Sequence, residues 1–164
     1  MSMKVDMTSD EVDRQIELLK VYPEIADKYY RPVLMKDVQV LKDMILMGTP
    51  VRTGNAQKRL GSKVTGKGTS LTGEVGWYGA SGQKAWYIRF PEGGTKAHEV
   101  SPGKGHTLHF VDRNGSEHFT RRSVQVKGIS ARGFVQSAWE TAQSMVTQDL
   151  AMANEAVVQE LAVP

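Results

Sequence analysis

Gly61–Gly68, "GSKVTGKG", has glycine and lysine in the G-x-x-x-x-G-K spacing of a phosphate-binding loop. That chemistry also needs Ser or Thr after the lysine to hold magnesium. It needs a following helix whose N-terminal amides face the phosphate. Here Gly68 follows Lys67, and "TSLTGEVGW" continues as a strand. A glycine-rich connection between strands is the better reading. Four histidines, His98, His106, His109 and His118, fall close together with Glu99 and Asp112 nearby. A catalytic zinc takes three protein donors and an open position, but no H-E-x-x-H helical pair is present and His109 alternates with Phe110 along a strand. These histidines are expected on loops and sheet surfaces, without a metal. Ser70, Ser81 and Ser101 lack the G-x-S-x-G setting, and Glu74, Glu92 and Glu99 show no convergence. No catalytic residue and no cofactor is expected, and the chain does not read as an enzyme.

Basic residues offer a different chemistry. Arg52, Lys58, Arg59, Lys63 and Lys67 form a run without an acid, and Arg121, Arg122 and Lys127 form a second cluster. Such charges neutralise phosphates without reading bases. A non-specific DNA-binding module using the 52–67 loop, with Lys58, Arg59, Lys63 and Lys67 facing the DNA, is therefore one reading. Trp77, Tyr78, Trp86, Tyr87 and Phe90 have strand spacing that suits core and interface packing better than base stacking. No helix-turn-helix, zinc-finger or ribonucleoprotein signature accompanies them. The charge is unevenly distributed: residues 1–48 carry seven Lys/Arg and nine Asp/Glu, 49–133 fourteen and five, and 134–164 none and four. A basic middle between acidic ends predicts an electropositive surface and permits plus-to-minus contacts between copies.

The elements that must position these groups are legible in outline. The 164 residues suit one domain, and 40% hydrophobic residues can build a core. With no cysteine, disulfides and thiolate sites are excluded. Neither a signal peptide nor an 18-residue apolar span is expected. Thr8 and Glu11 have capping-box spacing, with Met7 and Val12 placed as a staple. A short amphipathic helix follows, with Val12, Ile16 and Leu19 on one side. Pro23 and Pro32 sit where helices begin, so residues 1–31 read as a helical extension. Leu34, Val38, Leu41 and Ile45 then make one apolar stripe over a helix at 33–47, ended by Gly48 and Pro50.

The middle changes period. "LTGEVGWYG" and "KAWYIRF" read as strands, and Asn114-Gly115 predicts a two-residue turn in a β-hairpin. Its arms place Leu108 and Phe110 on one face, His109 and Val111 on the other. Ser130 is placed to cap a last helix with Phe134, Ala138, Ala142, Met145 and Val146 on its apolar face. The predicted class is α+β: an antiparallel sheet with a β-hairpin, packed against a long helix from the N-terminal half and a C-terminal helix.

Three segments, in order, then resemble one family. "TPVRTGNAQKRL", Thr49 to Leu60, resembles the P-V-[DR]-T-G-x-L-[RK]-x-S segment of the HK97 gp10-like family of phage tail-component and tail-completion (head–tail joining) proteins. "AWYIRFPEGGTK" is similar to its Y-A-x-x-V-E-F-G-T segment at Tyr87, Phe90, Gly94 and Thr95. "SARGFVQSAWE" resembles its A-R-P-F-L-R-P-A-x-E segment at Ala131, Arg132, Phe134, Ala138 and Glu140. Ala56 replaces a leucine, Leu60 takes a serine-like end, Pro91-Glu92 interrupts the second segment, and Gly133 replaces a proline.

The resemblance spans about residues 33–146 and implies a single tail-completion-like domain. It implies a structural virion component at the head–tail junction, neck or tail top, assembled in the host cytoplasm without a membrane. A homo-oligomeric ring, six subunits being the expected order, would adjoin head-closure or connector proteins and tail-terminator or tail-tube proteins, close to passing genomic DNA. Arg52, Thr53 and Gly54 would position the loop after the long helix. Tyr87, Phe90, Gly94 and Thr95 would fix the sheet segment and its turn, and Arg132 and Phe134 would anchor the final helix.

Overall fold

The computed structural model describes residues 9–162 apart from 52 and 113. The chain is α+β, with antiparallel sheets and a long N-terminal helix packed on a C-terminal one. Helix α1 runs Ser9–Gly48 and α5 runs Phe134–Ala162. Between them lie α2 (Asn55–Arg59), β1 (Gly61–Thr65), β2 (Thr72–Gly76) and α3 (Gly79–Gln83). A 3-10 turn at Trp86–Ile88, α4 (Arg89–Gly93), β3 (His98–Val100), β4 (Leu108–Val111), β5 (Glu117–Thr120) and β6 (Val124–Val126) follow. The expected capping box at Thr8 and staple at Met7 lie outside the described residues.

The prolines do not divide the N-terminal helix. Pro23 and Pro32 both lie inside α1. Each removes an amide, leaving the carbonyls of Leu19 and Lys28 without their usual partners. Both prolines are exposed, half a turn apart around the helix, and water can satisfy such a carbonyl. Helix α5 packs along α1, and this packing outweighs the local break. Lys28 reaches Glu160, Tyr30 reaches Asn154 and Lys36 reaches Asp149, which makes the pair antiparallel. Ala26 and Ile45 of α1 and Ala138, Ala142, Ala153 and Val157 of α5 are buried. Small side chains let the two backbones approach closely.

Contacts resolve two compact units, one made of the chain up to Ala85 together with the part from Phe134 onward, the other of Trp86–Gly133. In the first, β1 and β2 pair antiparallel with Gly61 opposite Gly76, and both strands pack on α1. Leu60 and Ala56 are buried beside them. The Trp77 indole donates to the Ala56 carbonyl at 2.7 Å and stands edge-on to Phe134, ring centres 6.4 Å apart.

In the second unit β3 pairs with β6 and β4 with β5, both antiparallel. The described strands thus form three separate two-stranded ladders in place of one sheet. The hairpin is present at Asn114-Gly115, but its loop is longer than two residues. The Asp112 amide donates to the Ser116 carbonyl and the Gly115 amide to the Asp112 carbonyl. The Asp112 carboxylate accepts the amides of Asn114 and Ser116. A turn ending in a left-handed glycine suits this longer hairpin loop.

"KAWYIRF" is not a strand. Trp86–Ile88 and Arg89–Gly93 form helical turns. Pro91 lies in the first turn of α4, where its missing amide costs nothing, and Gly94 ends the turn. These two residues override the strand preference of the aromatics. Ser130 is not the cap of the last helix, which begins at Phe134 after Gly133.

Candidate functional site

The first resemblance segment builds a helix start. Thr53 Oγ1 accepts the Asn55 amide at 3.4 Å, and the Gly54 carbonyl accepts the Lys58 amide at 3.0 Å. Gly54 has φ 69° and Gly94 has φ 72°, a left-handed conformation that favours glycine at both positions. Arg52 lies outside the described residues.

The second and third segments meet within the Trp86–Gly133 unit. Phe90 and Tyr87 are half-buried. Trp86 stands edge-on to Phe90 at 5.4 Å, with the Arg89 guanidinium over both rings. The Gly94 amide donates to the Phe90 carbonyl at 2.8 Å. Thr95 exchanges backbone hydrogen bonds with Ile129 at 2.8 and 3.0 Å, and its hydroxyl accepts the Ile129 amide as well. A Cβ on Gly94 would come within 2.8 Å of the Ala131 amide nitrogen and the Ile129 carbonyl. The Arg132 amide donates to the Pro91 carbonyl at 2.9 Å, while its side chain is exposed. Sequence spacing alone gave no sign that positions 91–95 and 129–132 touch. Phe134, in the other unit, is 7% exposed and opens α5.

The basic run is partly engaged by its own surroundings. Arg59 donates to Asn55 Oδ1 at 2.7 Å and to both oxygens of Ser81. Lys63 pairs with Glu74 at 2.9 Å and lies 4.7 Å from the Tyr78 ring centre. The Glu74 carboxylate holds the Lys63 ammonium above its ordinary pKa. Lys67 lines a cleft of about 390 Å³ with Pro23, Glu24, Asp27, Arg31 and Gly68. There Asp27 accepts two bonds from Arg31 and one from the Gly68 amide, and Arg31 also reaches the Gly66 carbonyl. Arg31 first, then the Gly68 amide, hold the Asp27 carboxyl below its ordinary value against partial desolvation. The glycine-rich loop is thereby fastened to α1. Of Lys58, Arg59, Lys63 and Lys67, Arg59 and Lys63 are engaged, while the Lys58 and Lys67 side chains have no described hydrogen bond, ion pair or ring contact.

Free cations lie elsewhere. Residues 86–133 carry eight Lys/Arg against four Asp/Glu, a net of +4. Among the described residues, Lys96, Lys104, Arg121, Arg122 and Lys127 have no side-chain ion-pair partner. The same unit exposes apolar surface. Trp86, Phe110, Val111, Phe119, Val126 and Ile129 are all exposed, and only Ile88 is a buried hydrophobic residue there. On the β4–β5 hairpin His109 stacks on Phe119 at 4.5 Å and Phe110 on His118 at 5.2 Å. These pairs are cross-strand neighbours. His118 also contacts Asp112 at 3.0 Å, and that contact first of all lowers the Asp112 pKa.

Among the described residues no group of three or more His, Asp or Glu is placed to hold a metal ion. No described helix is long and apolar enough to cross a membrane. Compared with protein-family models, curated proteins and solved structures, the chain matches none.

Proposed function

We propose that this chain is a structural component of a phage virion, at the head–tail junction or tail top, acting by ring-forming self-association. The observation that carries the reading is the Trp86–Gly133 unit. It exposes Phe110, Val111, Phe119 and Val126 on two-stranded ladders with unpaired edges, and Ile129 beside them. An isolated two-stranded hairpin is marginal in water, and apolar surface of this kind marks a binding face. A closed ring joins one face of a subunit to a different face of the next. In such a ring neighbouring subunits complete the ladder edges, so that a continuous antiparallel sheet forms on assembly. The three ordered sequence resemblances point to a hexamer that meets head-closure or connector proteins on one side and tail-terminator or tail-tube proteins on the other.

On this reading Thr53 and Gly54, with Arg52, set the loop after α1. Tyr87, Phe90, Gly94, Thr95 and Arg132 hold the turn that presents the ladders, and Phe134 anchors α5. The test is electron microscopy of the protein mixed with tail tubes or portal complexes, alongside native mass spectrometry. Rings seated on either structure are expected. A uniformly monomeric protein that binds neither would end the reading.

A second reading, non-specific contact with DNA, is favoured by the unpaired cations at Lys96, Lys104, Arg121, Arg122 and Lys127. It moves the contact from the 52–67 run to this unit. Duplex binding across a salt series measures it, since each phosphate contact contributes about 0.9 to the slope of log K against log salt. Replacing Arg121, Arg122 and Lys127 by Gln should flatten the slope. An equal flattening from Lys58→Gln with Lys63→Gln would return the contact to the first loop.

A further inference from the structure

The seam between α1 and α5 contains one group that its packing leaves unsatisfied. Asp37 is 3% exposed, and neither carboxyl oxygen has a hydrogen-bond donor. A buried carboxylate in that position is costly, because nothing replaces the water it lost. Facing it from α5 is a second carboxyl, Asp149, itself 8% exposed. Asp149 has a counter-ion in Lys36, whose side chain is mostly exposed. Asp37 has none. Two ionised carboxylates cannot bond to each other, whereas a protonated one donates to its neighbour.

Other elements bring no charge to this point. Strand β2 presents Gly73 and Val75 on this side, while alternation puts Glu74 on the other face with Lys63. Strand β1 adds Ser62, which bonds to Gln39. Among the described residues, Lys36 and Asp149 are the charged groups that act on Asp37. Beside the pair is a cavity of about 210 Å³, lined by Leu34, Val38, Leu41 and Trp139 as well as Asp37. It gives water or a displaced side chain somewhere to go.

We propose that Asp37 and Asp149 form a one-proton latch across the α1–α5 seam. With the proton in place, Asp37 donates to Asp149 and the helices close. Without it, two negative charges share one lysine, and the seam loosens toward the cavity. The latch lies entirely within the helix pair and stands whether or not the chain forms a ring.

Its pH window follows from the geometry. Burial first, then Asp149, push the Asp37 carboxyl from 3.8 up to about 6. A carboxyl raised on folding stabilises most below its unfolded value and loses that contribution as pH rises through the folded one. Asp149, held low chiefly by Lys36, behaves oppositely: its contribution is lost as pH falls below 3.8. The interval from about 4 to 6 therefore belongs to Asp37, and acid tightens the seam.

Two measurements test the latch. Carbon-13 NMR of the native chain should place the Asp37 carboxyl midpoint near 6; a midpoint near 4, its ordinary value, overturns the proposal. Urea midpoints from pH 4.5 to 7.5 are then compared for the native chain and Asp37→Asn. The amide donates to Asp149 at every pH, so the variant should exceed the native chain at pH 7.5 and shed part of its decline. Groups common to both proteins cancel in the difference. Parallel declines would overturn the latch. Should Asp37→Asn not fold, Asp149→Asn removes the facing charge, and the Asp37 midpoint should then fall; an unchanged midpoint again counts against the pair.

Discussion

The helix-pair unit and the Trp86–Gly133 unit use a similar alphabet to opposite ends. The first carries thirteen Lys/Arg and fourteen Asp/Glu and spends many of them on one another. Lys28–Glu160, Arg31–Asp27, Lys36–Asp149 and Lys63–Glu74 are all internal. Its buried apolar groups run from Ala26 and Ile45 to Phe134 and Val157, while Met35, Met47, Val51, Trp139 and Met152 are exposed. Among its described residues the second unit leaves Lys96, Lys104, Arg121, Arg122, Lys127 and Arg132 without ion pairs, and Trp86, Phe110 and Phe119 in water. One region pairs much of its own charge. The other is built as though something outside it will do so, and that is why the assembly reading rests there. The helix-pair unit is not sealed throughout: Val12, Ile16 and Leu19 stay exposed near the start of α1.

Two aromatic truncations test the contrast most severely. Phe134 packs edge-on to Trp77, and its Cβ lies 2.7 Å from where a Cβ on Gly48 would be. Phe134→Ala should cost about 3–5 kcal/mol, as buried Phe→Ala changes do. Phe119 is 66% exposed on the hairpin. Phe119→Ala should change the stability of the monomer by no more than about 0.5 kcal/mol, as at exposed sites generally. Urea unfolding of the two variants reads both. Equal losses would erase the distinction between the units, while a ring-formation defect confined to Phe119→Ala would sharpen it.

A smaller effect is expected at the point where the second unit is best organised. Gly94 needs its positive φ, and a Cβ there would crowd Ile129 and Ala131. Gly94→Ala should cost about 1–3 kcal/mol of local strain. Amide exchange should show the loss first at Thr95 and Ile129, whose paired bonds hold that turn. Unchanged protection at both amides would mean that the turn is not the fastening it resembles.

Local patterns account for what the sequence revealed. The stripe at Leu34, Val38, Leu41 and Ile45 does lie in a helix, Phe134 through Ala153 does mark the inner face of another, and Asn114-Gly115 does turn a hairpin. Each signal is contained in a few neighbouring residues. What escaped depends on partners far along the chain. Pro23 and Pro32 stay helical because α5, more than a hundred residues away, packs along α1. The basic run looked free because its acceptors, Glu74 and Ser81, come from later elements. Asp37 has helical spacing to Leu34 and Leu41, but no neighbour in sequence shows its partner. Its place opposite Asp149 appears only when the two helices are laid together.

The smallest expected effect concerns the acidic C-terminal end, which the charge pattern had offered as a docking face for a basic neighbour. Glu160 is already engaged: Lys28 and the Tyr29 hydroxyl both donate to its Oε2. Lys28 first, then Tyr29, hold its carboxyl below the ordinary 4.5. A depressed carboxyl contributes stability above its unfolded value and loses it as pH falls through the folded one. Amide exchange across the last turns of α5, corrected for intrinsic rates, should therefore accelerate on going from pH 5 to pH 3. Glu160→Gln should show the faster exchange already at pH 5. If the variant and the native chain exchange alike at pH 5, Glu160 is not holding the helix end and is free to meet a neighbour. If they differ as expected, of the acids on α5 Glu160 and Asp149 are both committed to α1. Any attraction between copies must then draw on the exposed apolar groups of the Trp86–Gly133 unit more than on opposite charge.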